Sequence, residues 1–201
     1  LAVPDCVPAS PASKDQEFAA ALSGWSALGT LDVSNATSDI PSHYHIKKTA
    51  TGVMTVSGIY RAITPSYPFT VTWKLSDMLW TANYQIAGLM LMDATPTAFE
   101  MFALAFVAAG QPADAAYQKW ASNTSRTSFT DTTIQFRPRY FRVIATSATN
   151  MAYEVSADGL VWFAIATGIN PGITVGNWGL GVTGNDNSVT AEAAFDWVRF
   201  S

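Results

Sequence analysis

Tyr140-Phe141-Arg142-Val143-Ile144-Ala145, Met151-Ala152-Tyr153-Glu154-Val155, Leu160-Val161-Trp162-Phe163-Ala164-Ile165, Trp178-Gly179-Leu180-Gly181-Val182 and Ala191-Glu192-Ala193-Ala194-Phe195-Asp196-Trp197-Val198-Arg199-Phe200 follow one another through the last quarter of the chain. In the first two segments apolar residues recur at every second position, the period that turns one face of a strand toward a core. Between the second and third stands Ser156-Ala157-Asp158-Gly159. Its Asp-Gly pair supplies the positive φ of a tight hairpin, so Leu160 to Ile165 is expected to run straight back as a strand. Gly184-Asn185-Asp186-Asn187-Ser188 reads as a further polar turn. The quarter is a succession of antiparallel strands.

Working outward, the same chemistry continues upstream. Gly52 to Ile63, Phe69 to Ser76, Tyr84 to Met92, Phe99 to Val107 and Tyr117 to Ser122 are β-rich runs of strand length. Pro65, Pro68, Pro96 and Pro112 punctuate them. The run from Met101 to Ala109 is apolar throughout and fits a strand buried on both faces. About a dozen strands with no alternating helices predict an all-β chain of two antiparallel sheets packed face to face. Residues 1–14, with Pro4, Pro8 and Pro11, read as an extended arm or linker, and residues 15–201 as the sandwich domain. Asp15 to Trp25 reads as a loose turn, with a short helix or an entry strand as alternatives. The chain opens on Leu1 without an initiator Met or a secretory signal, as expected of a piece of a longer protein.

Composition narrows the function. Of 201 residues 49% are hydrophobic and only 13% charged, below the roughly 25% usual for soluble domains, which suggests a surface partly covered by neighbours. A net charge of −4 with scattered Lys and Arg offers no field for a phosphate backbone, so nucleic acid is not expected as a partner. No run approaches the 18 or so apolar residues of a spanning helix, so no membrane insertion is expected. Cys6 is the single cysteine, which excludes an intrachain disulfide and a cysteine-rich zinc site.

The order of Tyr140-Phe141-Arg142-Val143, Tyr153 to Trp162, Gly179-Leu180-Gly181-Val182 and Phe195-Asp196-Trp197-Val198-Arg199-Phe200 resembles the concanavalin A-like lectin/glucanase superfamily. The closest resemblance is to its non-catalytic modules in phage tail or virion proteins and those appended to bacterial glycosidases. That implies a jelly-roll β-sandwich. It also implies a possible structural calcium ion, because many members clip the N-terminal segment to the last strand with one. Asp196 falls where that carboxylate sits, and Glu17 or Asp15 is placed to supply a second oxygen. The alternatives for Asp196 are a pair with Arg199 or a turn cap.

Catalytic constellations are sparse. Glycosidases need two carboxylates about 5 to 9 Å apart, and the related glucanases carry them as Glu-x-Asp-x-x-Glu. Here Glu17, Glu100, Glu154 and Glu192 stand isolated. His43 and His45 would share a strand face and could hold a metal, but a third ligand is missing nearby, and a hydrogen-bonded pair is the alternative. Neither histidine accompanies a Gly-x-Ser-x-Gly elbow.

Aromatic rings remain. Trp80, Tyr84, Tyr117, Trp120 and Trp178 are the candidates for stacking on a sugar, with core packing the alternative for each. The expected function is a non-catalytic carbohydrate-binding, adhesion or structural module at a bacteriophage tail or capsid surface. Its partners would be a cell-surface glycan or neighbouring virion subunits, with a homo-oligomer supplying copies. The alternative is an accessory carbohydrate-binding domain of a secreted bacterial glycoside hydrolase.

Overall fold

The computed structural model describes residues 18, 23–31, 33–35, 43–49, 54–78, 84–106, 113–184 and 190–201. Among them there is no helix. Fourteen strands run in chain order: β1 Ser26–Leu28, β2 Val33–Asn35, β3 Tyr44–Lys48, β4 Val56–Ala62, β5 Phe69–Met78, β6 Gln85–Asp93 and β7 Phe99–Phe106. Then follow β8 Asp114–Ser122, β9 Ser125–Thr133, β10 Tyr140–Ser147, β11 Asn150–Ser156, β12 Phe163–Ile169, β13 Val175–Gly184 and β14 Ala191–Phe200. They form two seven-stranded sheets, β1-β4-β13-β6-β7-β8-β9 and β12-β11-β10-β5-β14-β3-β2. Every pairing is antiparallel. The expected all-β, two-sheet sandwich is what the chain forms.

The core lies between the sheets. Leu89, Leu91, Phe102, Leu104, Trp178 and Leu180 of the first sheet meet Val71, Trp73, Phe141, Val143, Tyr153 and Phe195 of the second. Trp73 stacks on its cross-strand neighbour Phe141 at 5.2 Å and meets Phe102 of the other sheet edge-on at 5.4 Å, so a perpendicular ring contact of the kind that ring quadrupoles favour joins the sheets.

The outer face of the first sheet is apolar too. Met90, Met92, Phe99, Met101, Ala103, Ala116 and Trp120 form a second buried cluster with Leu28, Val56 and Ile86. This is why β6 and β7 are buried along both faces, as the Met101 to Ala109 run predicts. Across that face the register lines up Leu28, Gly58, Gly181, Gly88, Ala103, Ala116 and Asp131, one from each strand. Small residues here let neighbouring strands close up. A Cβ on Gly88 would stand 2.1 Å from the Phe102 carbonyl oxygen and 2.7 Å from the Ala103 Cβ, so only glycine fits.

Two expectations are corrected. Leu160 to Ile165 does not start a strand at once: β12 begins at Phe163, because Asp158 Oδ1 accepts from the Leu160 and Val161 amides and Ser156 Oγ from that of Gly159. Those side chains hold residues 157–162 as an Asx-type loop in place of a two-residue hairpin. The second correction is β9, a nine-residue strand that its polar sequence Ser125-Arg126-Thr127-Ser128-Phe129-Thr130-Asp131-Thr132-Thr133 conceals. It is an edge strand, so neither face needs the apolar alternation of a core strand. The arm at residues 1–14 lies outside the described residues.

Candidate ligand-binding site on the outer face of the first sheet

Alternation along β8 sends Ala115 and Tyr117 inward to the core and Ala116 and Trp120 outward, which places Asp114 and Gln118 outward as well. Trp120, only 2% exposed, stacks on Phe99 from β7 with centroids 5.7 Å apart and planes 10° apart. From β9, opposite Trp120, Arg126 lays its guanidinium over two rings, 4.8 Å from the Phe129 centroid and 5.9 Å from that of Trp120. Phe129 in turn stands opposite Gln118. Register thus gathers four side chains that lie up to eleven positions apart in sequence.

The polar atoms there are underused. Arg126 Nη1, Trp120 Nε1 and both terminal atoms of the fully buried Gln118 have no hydrogen-bond partner, and neither does Asp114 Oδ1 farther along β8. Buried polar groups in proteins are nearly always satisfied, so a run of orphans on one face makes it the candidate place for a polar partner, ordered water included. Burial draws the Arg126 pKa down, and the nearby Tyr84 hydroxyl acts in the opposite sense. Tyr84, with φ 60°, ends the approach to β6 and donates its backbone N–H to the Phe106 carbonyl. Arg126 and Phe129 are half-buried beside the buried Trp120 and Gln118.

Of the rings singled out from sequence, Trp120 lies here, and Tyr84 acts on Arg126 through its charge alone. Trp120 is corrected in its role: its face is taken by Phe99, and what it can offer a ligand is its indole N–H. Trp178 is also corrected, since it lies in the inner core, edge-on to Trp25 at 4.8 Å and 5.1 Å from Phe200, with no face open to a sugar. Tyr117 packs inward, 5.5 Å from Tyr153. Trp80, Glu17 and Asp15 lie outside the described residues. Gln118 and Arg126 were not singled out from sequence, and no local pattern distinguishes them, because their meeting depends on cross-strand register.

The carboxylates are mostly engaged elsewhere. Asp196 receives Lys74 Nζ at 2.7 Å, a cation where the resemblance implied calcium, and Arg199 sits over the Trp197 ring. Glu192 lies 2.7 Å from His45 Nε2, Glu154 pairs with Arg142, and Asp77 with Arg137. Glu100 points between the sheets toward Tyr153. Asp93 holds Thr95 and Thr97 in its turn. Among the described residues no three His, Cys, Asp or Glu side chains gather as a metal site. Asp114 and Asp131 share the outer face as diagonal neighbours, an arrangement of order 7–8 Å between residues.

No family model and no curated protein matches this sequence. Solved structures do match in shape. The GH43 protein BlXynB of Bacillus licheniformis superposes with a TM-score of 0.67 at 13% identity over 92% of this chain, which spans 38% of that protein's length. The CBM2 module of the Dit protein of Lactobacillus casei BL23 phage J-1 gives 0.61 at 8% identity, over 92% of this chain and 93% of that one. A legume lectin-like domain from Entamoeba histolytica gives 0.56 at 9%, over 89% of each. At such identities the likeness concerns the fold: the chain is an antiparallel two-sheet β-sandwich of jelly-roll type, the fold it shares with these structures.

Proposed function

We propose that the chain is a non-catalytic carbohydrate-binding module whose ligand engages the outer face of the first sheet. The observation that carries this reading is the set of unpartnered donors and acceptors on Arg126, Trp120 and Gln118 beside the half-buried Phe129 ring. Mixed donors and acceptors beside flat apolar rings suit a sugar, which presents hydroxyls at its edge and C–H groups on its face. The fold's likeness to lectin-like and CBM2 structures supports the same class.

Catalysis by the Asp114 and Asp131 pair is the competing reading. Against it, Trp120 and Arg126 lie toward the other end of β8 from that pair, with only Phe129 and Gln118 between. Trp120 is six residues from Asp114, roughly 20 Å at the rise of a strand. A glycosidase needs its sugar seated at the carboxylates. As for setting, a bacteriophage virion surface is favoured by the exposed apolar loop and edge at Leu160, Val161 and Phe163, which suits a module packed against neighbours. The likeness to a module of a phage Dit protein agrees.

Glycan-array screening of the chain followed by titration calorimetry tests the reading. Binding to a saccharide that weakens about tenfold in Gln118→Leu, with no reducing ends released by the unsubstituted protein, is the expected result. Turnover abolished by Asp114→Asn would replace the module with an enzyme.

A further inference from the structure

We infer that the Arg126 end of this face reads a carboxylate-bearing sugar, a uronic acid or another acidic saccharide. The inference rests on the carbohydrate-binding reading and names its ligand class. Arg137, Arg142, Lys47 and Lys74 each have a carboxylate partner, whereas Arg126, like Arg61, pairs with none among the described residues, and Arg126 differs from Arg61 in lying against two rings, Phe129 and Trp120. The chain has 15 acidic against 11 basic residues, so a lack of acids does not explain this. On its own strand the next carboxylate, Asp131, stands two residues beyond Phe129, whose ring the guanidinium covers, and makes no ion pair with it.

The neighbours are arranged to strengthen an anion's contact. Phe129 and Trp120 flank the guanidinium and cover part of it, which raises the value of a charge-assisted hydrogen bond there. The orphan atoms are mostly donors: Arg126 Nη1, Trp120 Nε1 and Gln118 Nε2, against the single acceptor Gln118 Oε1. The hydroxyls of a neutral sugar accept but also donate, and only Gln118 Oε1 is there to take their protons. A carboxylate accepts only, and the planar fork of a guanidinium matches its two oxygens.

The probes are trigalacturonate, its methyl ester and neutral cellotriose, titrated into the unsubstituted protein and into Arg126→Gln and Arg126→Lys. The acid is expected to bind at least about tenfold tighter than the ester and to weaken with added salt. In Arg126→Gln the ratio of acid to ester affinity falls to about one and the salt dependence disappears, while Arg126→Lys recovers part of both because it keeps the charge without the fork. Unfolding curves of both variants confirm that a folded protein is titrated. Equal affinity for acid and ester in the unsubstituted protein overturns the inference and leaves the module standing. A ratio unchanged in Arg126→Gln also overturns it, and failure to bind any saccharide removes the module reading itself.

Discussion

The Tyr153 hydroxyl donates to Glu100 Oε1 at 2.5 Å, a hydrogen bond between the two sheets in the middle of the sandwich. Glu100 Oε2 has no partner, and burial raises the Glu100 pKa, with the Tyr153 bond and the Lys119 charge opposing it. A carboxyl whose folded pKa lies above its unfolded one favours the folded state while both are protonated. That contribution is complete below the unfolded pKa and is lost as pH rises through the folded one. Glu100→Gln keeps an acceptor for Tyr153 and cannot ionise. Its melting temperature should exceed that of the unsubstituted protein at pH 7 to 8, and the two should converge near pH 4. A variant less stable at neutral pH would refute this. Tyr153→Phe leaves Oε1 unpaired as well, at a cost of about 1–3 kcal/mol.

Gly88→Ala tests the close approach of β6 and β7. The added Cβ has backbone on one side and Ala103 on the other, so strands must move apart in the centre of the sheet. Overpacking of this kind costs about 1–3 kcal/mol, and urea unfolding should show it as a lower midpoint with an unchanged slope. Ala at Gly24, which has φ +75° but no atom within 4 Å, provides a comparison in which backbone strain acts alone.

How much of this was legible depends on where the controlling interaction lies. β14 reads off the sequence end to end, since Ala191 to Phe200 carries its own apolar pattern. β7 likewise shows its two buried faces as an apolar run from Met101 onward, with Glu100 before it. By contrast β9 is polar on both sides and held by its pairing with β8, a contact no local pattern records. The site divides in the same way. Tyr84 and Trp120 stand out as rings near turns, whereas Arg126 and Gln118 acquire meaning only when register sets them opposite Trp120 and Phe129. Trp178 looks identical to a binding ring in sequence, and only its inward direction assigns it to the core.

Lys74 and Asp196 give a further test. Their 2.7 Å contact joins β5 to β14 with both side chains about one-fifth exposed. With an ammonium on this carboxylate, a chelator should leave the melting temperature unchanged, and Asp196→Asn should cost about 1 kcal/mol, the upper range for a pair near the surface. Lys74→Met combined with Asp196→Asn should cost less than the two single changes summed, because both remove one interaction. A chelator-induced drop in melting temperature that Asp196→Asn abolishes would restore the calcium implied by resemblance.

The last prediction concerns the edge of the second sheet. β12 runs Phe163-Ala164-Ile165-Ala166-Thr167-Gly168-Ile169 without a charge or a proline, and β11 covers only one of its two sides. β9, a long edge of the other sheet, carries Arg126 and Asp131, and β1 and β2 are three residues each, so three of the four edges have the protection that discourages strand addition. Beside β12 the loop exposes Leu160 and Val161 at 57% and 58%, and Phe163 is 50% exposed. An edge of this kind associates with like edges, because unpaired backbone groups and apolar side chains are satisfied together and no like charges meet. Sedimentation velocity of the chain should therefore show concentration-dependent self-association. Phe163→Lys and Val161→Lys should shift it toward monomer by placing like charges opposite each other, with saccharide binding at the distant first sheet unaltered. A monomer at all concentrations would leave this edge without a role in assembly.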